Sequence, residues 1–207
     1  MRQEVFVINL ERCKEKAEKM KTRLSGVDFS FIKAVDGKQL NEEKLKEMDI
    51  KLCNEWKDPY SGRNLTWGEV GCMMSHYNIY KKCVEENIDV AIILEDDVTI
   101  PDNFTDKVNK IITDLNSDIH NWNLCYLGRK SMDDRDIDIH PDFVLSGYSY
   151  WTCAYIINLK GMKKILDSGI KQNIIPADEI LPILGNVSPY KKYYEYFKIT
   201  EYLNIYS

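Results

Sequence analysis

Apolar residues along this chain fall into two patterns, short blocks and helical repeats. VAIIL (90–94) is an unbroken apolar run, the mark of a strand buried on both faces. VFVINL (5–10), FSFIKAV (29–35), WNLCYLG (122–128) and YWTCAYIINL (150–159) read as further strands. Between the blocks, apolar residues recur at three- and four-residue steps, the period of a helix with one buried face. ERCKEKAEKMKTRL (11–24) is such a segment, rich in strong helix formers, and NEEKLKEM (41–48) opens with an Asn cap and acids in its first turn. In TWGEVGCMMSHYNIYKKCVEEN (66–87), Thr66 stands three residues before Glu69, a capping-box spacing that predicts a long helix leading straight into VAIIL. Helices are also predicted at DKVNKIITDL (106–115), KGMKKILDSG (160–169, ending at Gly169) and PADEILPIL (176–184, opened by Pro176).

Strand, helix and strand over the first 37 residues form a β-α-β unit, the building block of an open parallel sheet. CNEWKDPYSGRN reads as a loop, and the polar stretch 129–147, with its acid-rich DDRDIDIHPD, as a long functional or mobile loop. No repeat, low-complexity linker or composition break interrupts the chain. One α/β domain over 1–207 is therefore expected, with a nucleotide-binding part at about 1–128 and an acceptor-side part at about 129–207.

Composition narrows the class. An apolar fraction of 44% and a charged fraction of 29% are those of a globular protein, and the net charge of −5 argues against nucleic acid as the main partner. No window suits a membrane span, and the apolar stretch near the amino terminus is too short for a signal peptide, so a cytoplasmic or host-cell cytoplasmic location is expected. In that setting the six cysteines read as reduced core thiols, and the sequons at Asn64, Asn103 and Asn186 as chance matches. With no C-x-x-C pair, no zinc site is expected.

The candidate chemistry lies where VAIIL ends, in the consecutive acids Glu95, Asp96 and Asp97. Ligands of open α/β sheets bind outside the carboxyl ends of strands. If the strand persists, Glu95 and Asp97 share a face and Asp96 points away. Two readings fit: a solvated strand-to-loop junction, or a grip for Mn²⁺ or Mg²⁺, which prefer oxygen ligands.

The pieces VFVINLERCKEK, FIKAVDGKQL, GEVGCMMSHYNIYKKC, AIILEDDV, YLG, AYIINLKGMKKIL and PADEIL, in this order, resemble glycosyltransferase family 25. That family includes lipooligosaccharide galactosyltransferases and collagen hydroxylysine galactosyltransferase domains. The resemblance implies a GT-A fold: α/β, with a mostly parallel central sheet flanked by helices and a Rossmann-like nucleotide-binding half. It implies inverting transfer of a hexose (galactose, glucose or N-acetylglucosamine) from a UDP-sugar to a hydroxyl on a glycan or hydroxylated protein. A non-catalytic module that binds nucleotide sugars is the alternative.

Carried over by position, Glu95 and Asp97 correspond to a D-x-D pair holding Mn²⁺ or Mg²⁺, with Asp96 toward the donor sugar or ribose. Asn9, Leu10 and Arg12 then border the nucleoside pocket, with Asp36 and Gly37 nearby. Ser75 or His76 would touch the donor, and Gly71 would allow close approach of backbone or ligand. Each has a structural reading beside the functional one: a strand exit for Asn9, a helix start for Arg12, a core residue for His76. Asp178 is the expected base, with Glu179 second, unless both merely favour a helix amino end. No histidine follows His140, so a third protein ligand to the metal stays unassigned.

Overall fold

The computed structural model describes residues 1–207. Its eight strands are β1 (Gln3–Asn9), β2 (Ser30–Lys33), β3 (Val90–Glu95), β4 (Leu124–Ser131), β5 (Ile137–His140), β6 (Phe143–Leu145), β7 (Ser149–Asn158) and β8 (Ile205–Tyr206). They form one sheet in the order β2-β1-β3-β7-β4-β8-β6-β5. The six α-helices are α1 (Lys14–Arg23), α2 (Glu42–Glu47), α3 (Trp67–Glu85), α4 (Phe104–Asp114), α5 (Leu159–Asp167) and α6 (Ala177–Leu184).

The expected β-α-β start is present: β1 pairs in parallel with β2 and with β3. The sheet as a whole is mixed, which corrects the expectation of a mostly parallel one. β7 runs antiparallel between β3 and β4, and β6 is antiparallel to both β5 and β8. A strand buried on both faces carries the same apolar run whichever way its neighbour points, so the sequence pattern does not encode direction.

Alternation along the strands feeds two cores. Phe6, Ile93, Tyr155 and Leu124 face one side, where Val70, Met73, Tyr80, Ile165 and Ile180 from α3, α5 and α6 cover them. Val7, Ile92, Leu94 and Ile156 face the other, against Met20 and Leu24 of the α1 region and Val108 and Ile112 of α4. The polar segment 129–147 is not one loop. β4 runs on to Ser131, and β5 and β6 then form a hairpin at the sheet edge. Arg129 anchors that hairpin through Asp136.

α3 begins with the predicted capping box: Glu69 N–H donates to Thr66 Oγ1 at 3.3 Å, and Thr66 N–H to Glu69 Oε2 at 2.8 Å. Farther along, α3 lies directly against the backbone of residues 35–37. Ser75 Oγ accepts from Val35 N–H at 2.9 Å and donates to the Gly71 carbonyl at 2.7 Å. A Cβ at Gly71 would stand 2.4 Å from the Val35 oxygen, and one at Gly37 would stand 2.2 Å from the Trp67 oxygen. Both positions thus require glycine for backbone contact.

Gly71→Ala is expected to lower unfolding free energy by about 1–3 kcal/mol, the usual cost of overpacking. Gly128→Ala is the control, because a Cβ there meets nothing within 4 Å. Urea denaturation of the two variants checks this. Equal midpoints would remove the argument for backbone contact at Gly71.

Candidate functional site

The carboxyl ends of β1 and β3, the 34–40 segment and the first half of α3 enclose a cavity of about 510 Å³. Every residue expected at the nucleotide sugar lines it except Asn9 and Gly71: Leu10, Arg12, Asp36, Gly37, Ser75, His76, Glu95 and Asp96. Lys38 and Trp67 also line it, although nothing in their sequence context set them apart. The Arg12 guanidinium lies 3.0 Å from Asp36 Oδ2, and Asp36 Oδ1 caps the following 3-10 turn by accepting from Lys38 N–H at 3.0 Å. A cavity of about 530 Å³ lies at the opposite, amino ends of β1 and β2. The carboxyl end is the side where open α/β sheets hold ligands.

The three acids part ways at the strand end. β3 stops at Glu95 and the chain turns, so strand alternation does not reach Asp97. Asp96 is buried; its Oδ2 accepts from Asn9 Nδ2 at 2.8 Å and its Oδ1 from Lys16 Nζ at 2.8 Å. Asp97, with a side chain 60% exposed, shares the same ammonium at 3.0 Å. Lys16, on α1, is therefore the cation that the acid run requires. Its hydrogen bonds to Asp96 and then Asp97 hold it protonated well above the ordinary lysine range. Asn9 does not line the cavity; it orients Asp96. In the sequence Lys16 is only one of several lysines on a highly charged helix.

Glu95 turns toward α3. Its Oε1 lies 4.0 Å from Cys72 Sγ and 3.6 Å from His76 Nε2. His76 is buried, with Nδ1 2.8 Å from Tyr155 Oη and no hydrogen-bond partner for Nε2. Burial, reinforced by the Glu95 charge, pushes the Cys72 thiol up to about 12. Cysteine and histidine four residues apart on one helix share a face, a spacing that a search for C-x-x-C passes over.

Cys72 and Glu95 also line a second cavity, of about 430 Å³, with Glu69, Trp151, Thr152, Cys153 and Asp178. The two cavities thus meet at Cys72 and Glu95. The Asp178 carboxyl sits above the usual aspartate range because of burial, with Glu69 and Glu95 adding to the rise and the amides of Asp178 and Trp151 partly offsetting it. Trp151 is exposed and holds a φ of 74°, a left-handed conformation uncommon for a bulky residue.

Glu179 points elsewhere. It is buried and accepts from Tyr150 Oη at 2.5 Å and from Tyr148 Oη at 3.1 Å, and it lines neither cavity. Glu179, expected second to Asp178 at the substrate, thus lies enclosed among tyrosines and away from both cavities.

The strand end has the donor chemistry of a hard cation. Asp97 is exposed, with its carboxylate on Lys16, and the Glu95 side chain is 32% exposed. Their oxygens are of the type Mn²⁺ or Mg²⁺ prefers, while in this arrangement Lys16 holds Asp97 and Glu95 faces α3.

Burial raises Glu179 from an ordinary 4.5 to about 7, with its tyrosine hydrogen bonds offsetting part of the rise. The folded state then holds a proton that the unfolded chain has lost. Stability from this group is full below about 4.5 and is lost as the pH rises toward about 7. Glu179→Gln is expected to remove that fall, which for one proton is at most about 1.4 kcal/mol per pH unit. Urea unfolding across this window tests it, and parallel curves for the two proteins would contradict it.

The chain is 40% identical over 200 residues to procollagen galactosyltransferase 1-B of Xenopus laevis, covering 94% of this chain and 33% of that protein. It is 34% identical over 201 residues to human procollagen galactosyltransferase 2, covering 94% and 32%. It is also 37% identical over 199 residues to a probable inactive glycosyltransferase 25 family member 3 of Bos taurus, covering 94% and 33%. The chain thus spans about a third of the length of the curated relatives it matches. Residues 2–181 match the family described as glycosyltransferase family 25 (LPS biosynthesis protein), and the chain belongs to that family.

Proposed function

We propose that this chain transfers a hexose from a UDP-sugar to an acceptor hydroxyl, with inversion at the anomeric carbon, on a GT-A scaffold. The observation that carries the reading is the pair of cavities meeting at Cys72 and Glu95, one rich in groups suited to a nucleotide and the other holding Asp178. Galactose is the hexose favoured by the names of the relatives, and a hydroxylated collagen-like protein or a glycan is the acceptor class.

In this reading the nucleotide occupies the first cavity. Trp67 offers a ring face to the base, and Arg12 and Lys38 offer positive charge to the diphosphate. Glu95 and Asp97 would hold Mn²⁺ or Mg²⁺, which neutralises charge on the departing diphosphate when bound. The acceptor hydroxyl enters beside Asp178, with Trp151 as a stacking surface for a sugar or ring. As the hydroxyl oxygen attacks the anomeric carbon, its proton passes to Asp178 and the bond to the diphosphate breaks, its electrons leaving with the diphosphate. The raised pKa of Asp178 makes it a stronger base than an exposed aspartate, once ionised.

A second reading, binding without transfer, is favoured by one comparison: the Bos taurus relative described as probably inactive is 37% identical. Calorimetric binding of UDP with no turnover over a panel of acceptors would select it.

Asp178→Asn is expected to lower kcat by about 10²–10⁴-fold, the usual worth of a general base, while leaving UDP affinity unchanged. Turnover within a few-fold of wild type would reject Asp178 as the base. Because its pKa is raised, the acid limb of the wild-type kcat/KM profile should lie above the ordinary aspartate range, with activity rising as the pH increases through it. Separately, hydrolysis of a UDP-sugar with Mn²⁺ should fall sharply in Asp97→Ala. Equal metal-dependent turnover in that variant and wild type would exclude Asp97 as an essential ligand.

A further inference from the structure

The wall between the two cavities has a donor set of its own. Cys72 Sγ, His76 Nε2 and Glu95 Oε1 lie within 4.8 Å of one another. Two of the separations are 3.6 Å (nitrogen to oxygen) and 4.0 Å (sulfur to oxygen). Zinc bonds of about 2.3 Å to sulfur and about 2.0–2.1 Å to nitrogen or oxygen place tetrahedral donors roughly 3.3–3.6 Å apart. The cluster is within a few tenths of an ångström of that geometry along both measured edges.

The histidine is prepared for ligation. Its side chain is 1% exposed, and its Nε2 is a buried polar atom with no hydrogen-bond partner. An orphan of this kind is costly unless something binds it. Nδ1 lies 2.8 Å from Tyr155 Oη; in the tautomer whose Nδ1–H donates there, the Nε2 lone pair is free on the side where Cys72 and Glu95 lie. Tyr155 Oη is held in turn by Tyr80 Oη at 2.6 Å, an outer shell of the sort that orients metal-binding imidazoles.

We propose that Cys72, His76 and Glu95 form a binding site for a zinc-class divalent cation, with the fourth position open to the cavities on either side. Sulfur and imidazole nitrogen select a borderline-soft ion over Mg²⁺ or Mn²⁺. On binding, the Cys72 thiol gives its proton to solvent and its sulfur bonds to the metal. The ion ties α3 to the end of β3. The site shares Glu95 with the Mn²⁺ or Mg²⁺ grip of the proposed function, so the two kinds of ion compete for that carboxylate, and it is read on the protein alone, without donor or acceptor.

The test is an anaerobic Co²⁺ titration of the reduced chain, followed by absorbance and then by Zn²⁺ competition. One equivalent of Co²⁺ is expected to produce a thiolate-to-cobalt charge-transfer band and the visible spectrum of four-coordinate cobalt, both erased by Zn²⁺. Cys72→Ala should abolish the charge-transfer band, whereas Cys153→Ala should keep it. Tyr155→Phe retains the packing and the three ligands, and should weaken Co²⁺ binding by about 10–100-fold. No charge-transfer band at millimolar Co²⁺, or a band that survives in folded Cys72→Ala, would overturn the proposal.

Discussion

Three adjacent carboxylates at the end of a buried strand cannot all keep their charge in one place, and the site is organised by how they are separated. At short range and low effective dielectric, unshared like charges repel by several kcal/mol. The chain turns immediately after Glu95 and sends the acids to different partners. Lys16 takes Asp96 and Asp97 from one side, Asn9 fixes Asp96 from beneath, and Glu95 is left facing α3. The same contacts dock α1 and α3 onto the strand end, so the charge arrangement and the helix packing are one constraint. Glu95 thereby becomes part of the boundary between two cavities rather than one more acid in a patch.

Backbone contact does the rest. The 35–37 segment reaches α3 because Gly37 and Gly71 have no side chains and Ser75 Oγ bridges the Val35 N–H and the Gly71 carbonyl. This holds Asp36 and Arg12 opposite Glu95 across the first cavity. The antiparallel insertion of β7 beside β3 brings Trp151–Cys153 to the same strand end, and α6 adds Asp178 there. A wholly parallel sheet would carry the carboxyl end of that strand toward the site, instead of its first half.

Much of this was legible in the residues. The capping box, the long helix, the apolar β3 and the β-α-β start all rest on local patterns, and local patterns survive in the structure. Strand direction was not legible, since it depends on distant partners. The hairpin at 137–145 was hidden because its strands are short, polar and at an edge, where alternation against a core is lost. For the site, positions carried over from the family resemblance were enough to gather Leu10, Arg12, Asp36 and His76 around one cavity. They were not enough to separate Asp178 from Glu179, adjacent acids that a helical turn of about 100° per residue sends to different surroundings. Nor did they reveal Lys16 or the Cys72–His76 pair, because their meaning arises only where helices meet the strand end.

The central claim is that the nucleotide binds at the carboxyl ends of β1 and β3, against α3. Hydrogen–deuterium exchange of the chain with and without UDP and Mn²⁺ tests it most directly. Slowed exchange is expected in peptides covering residues 34–40 and 67–76, which line that cavity. Protection confined to residues 26–30 and 104–109, at the opposite end of the sheet, or none in either region, would contradict the account.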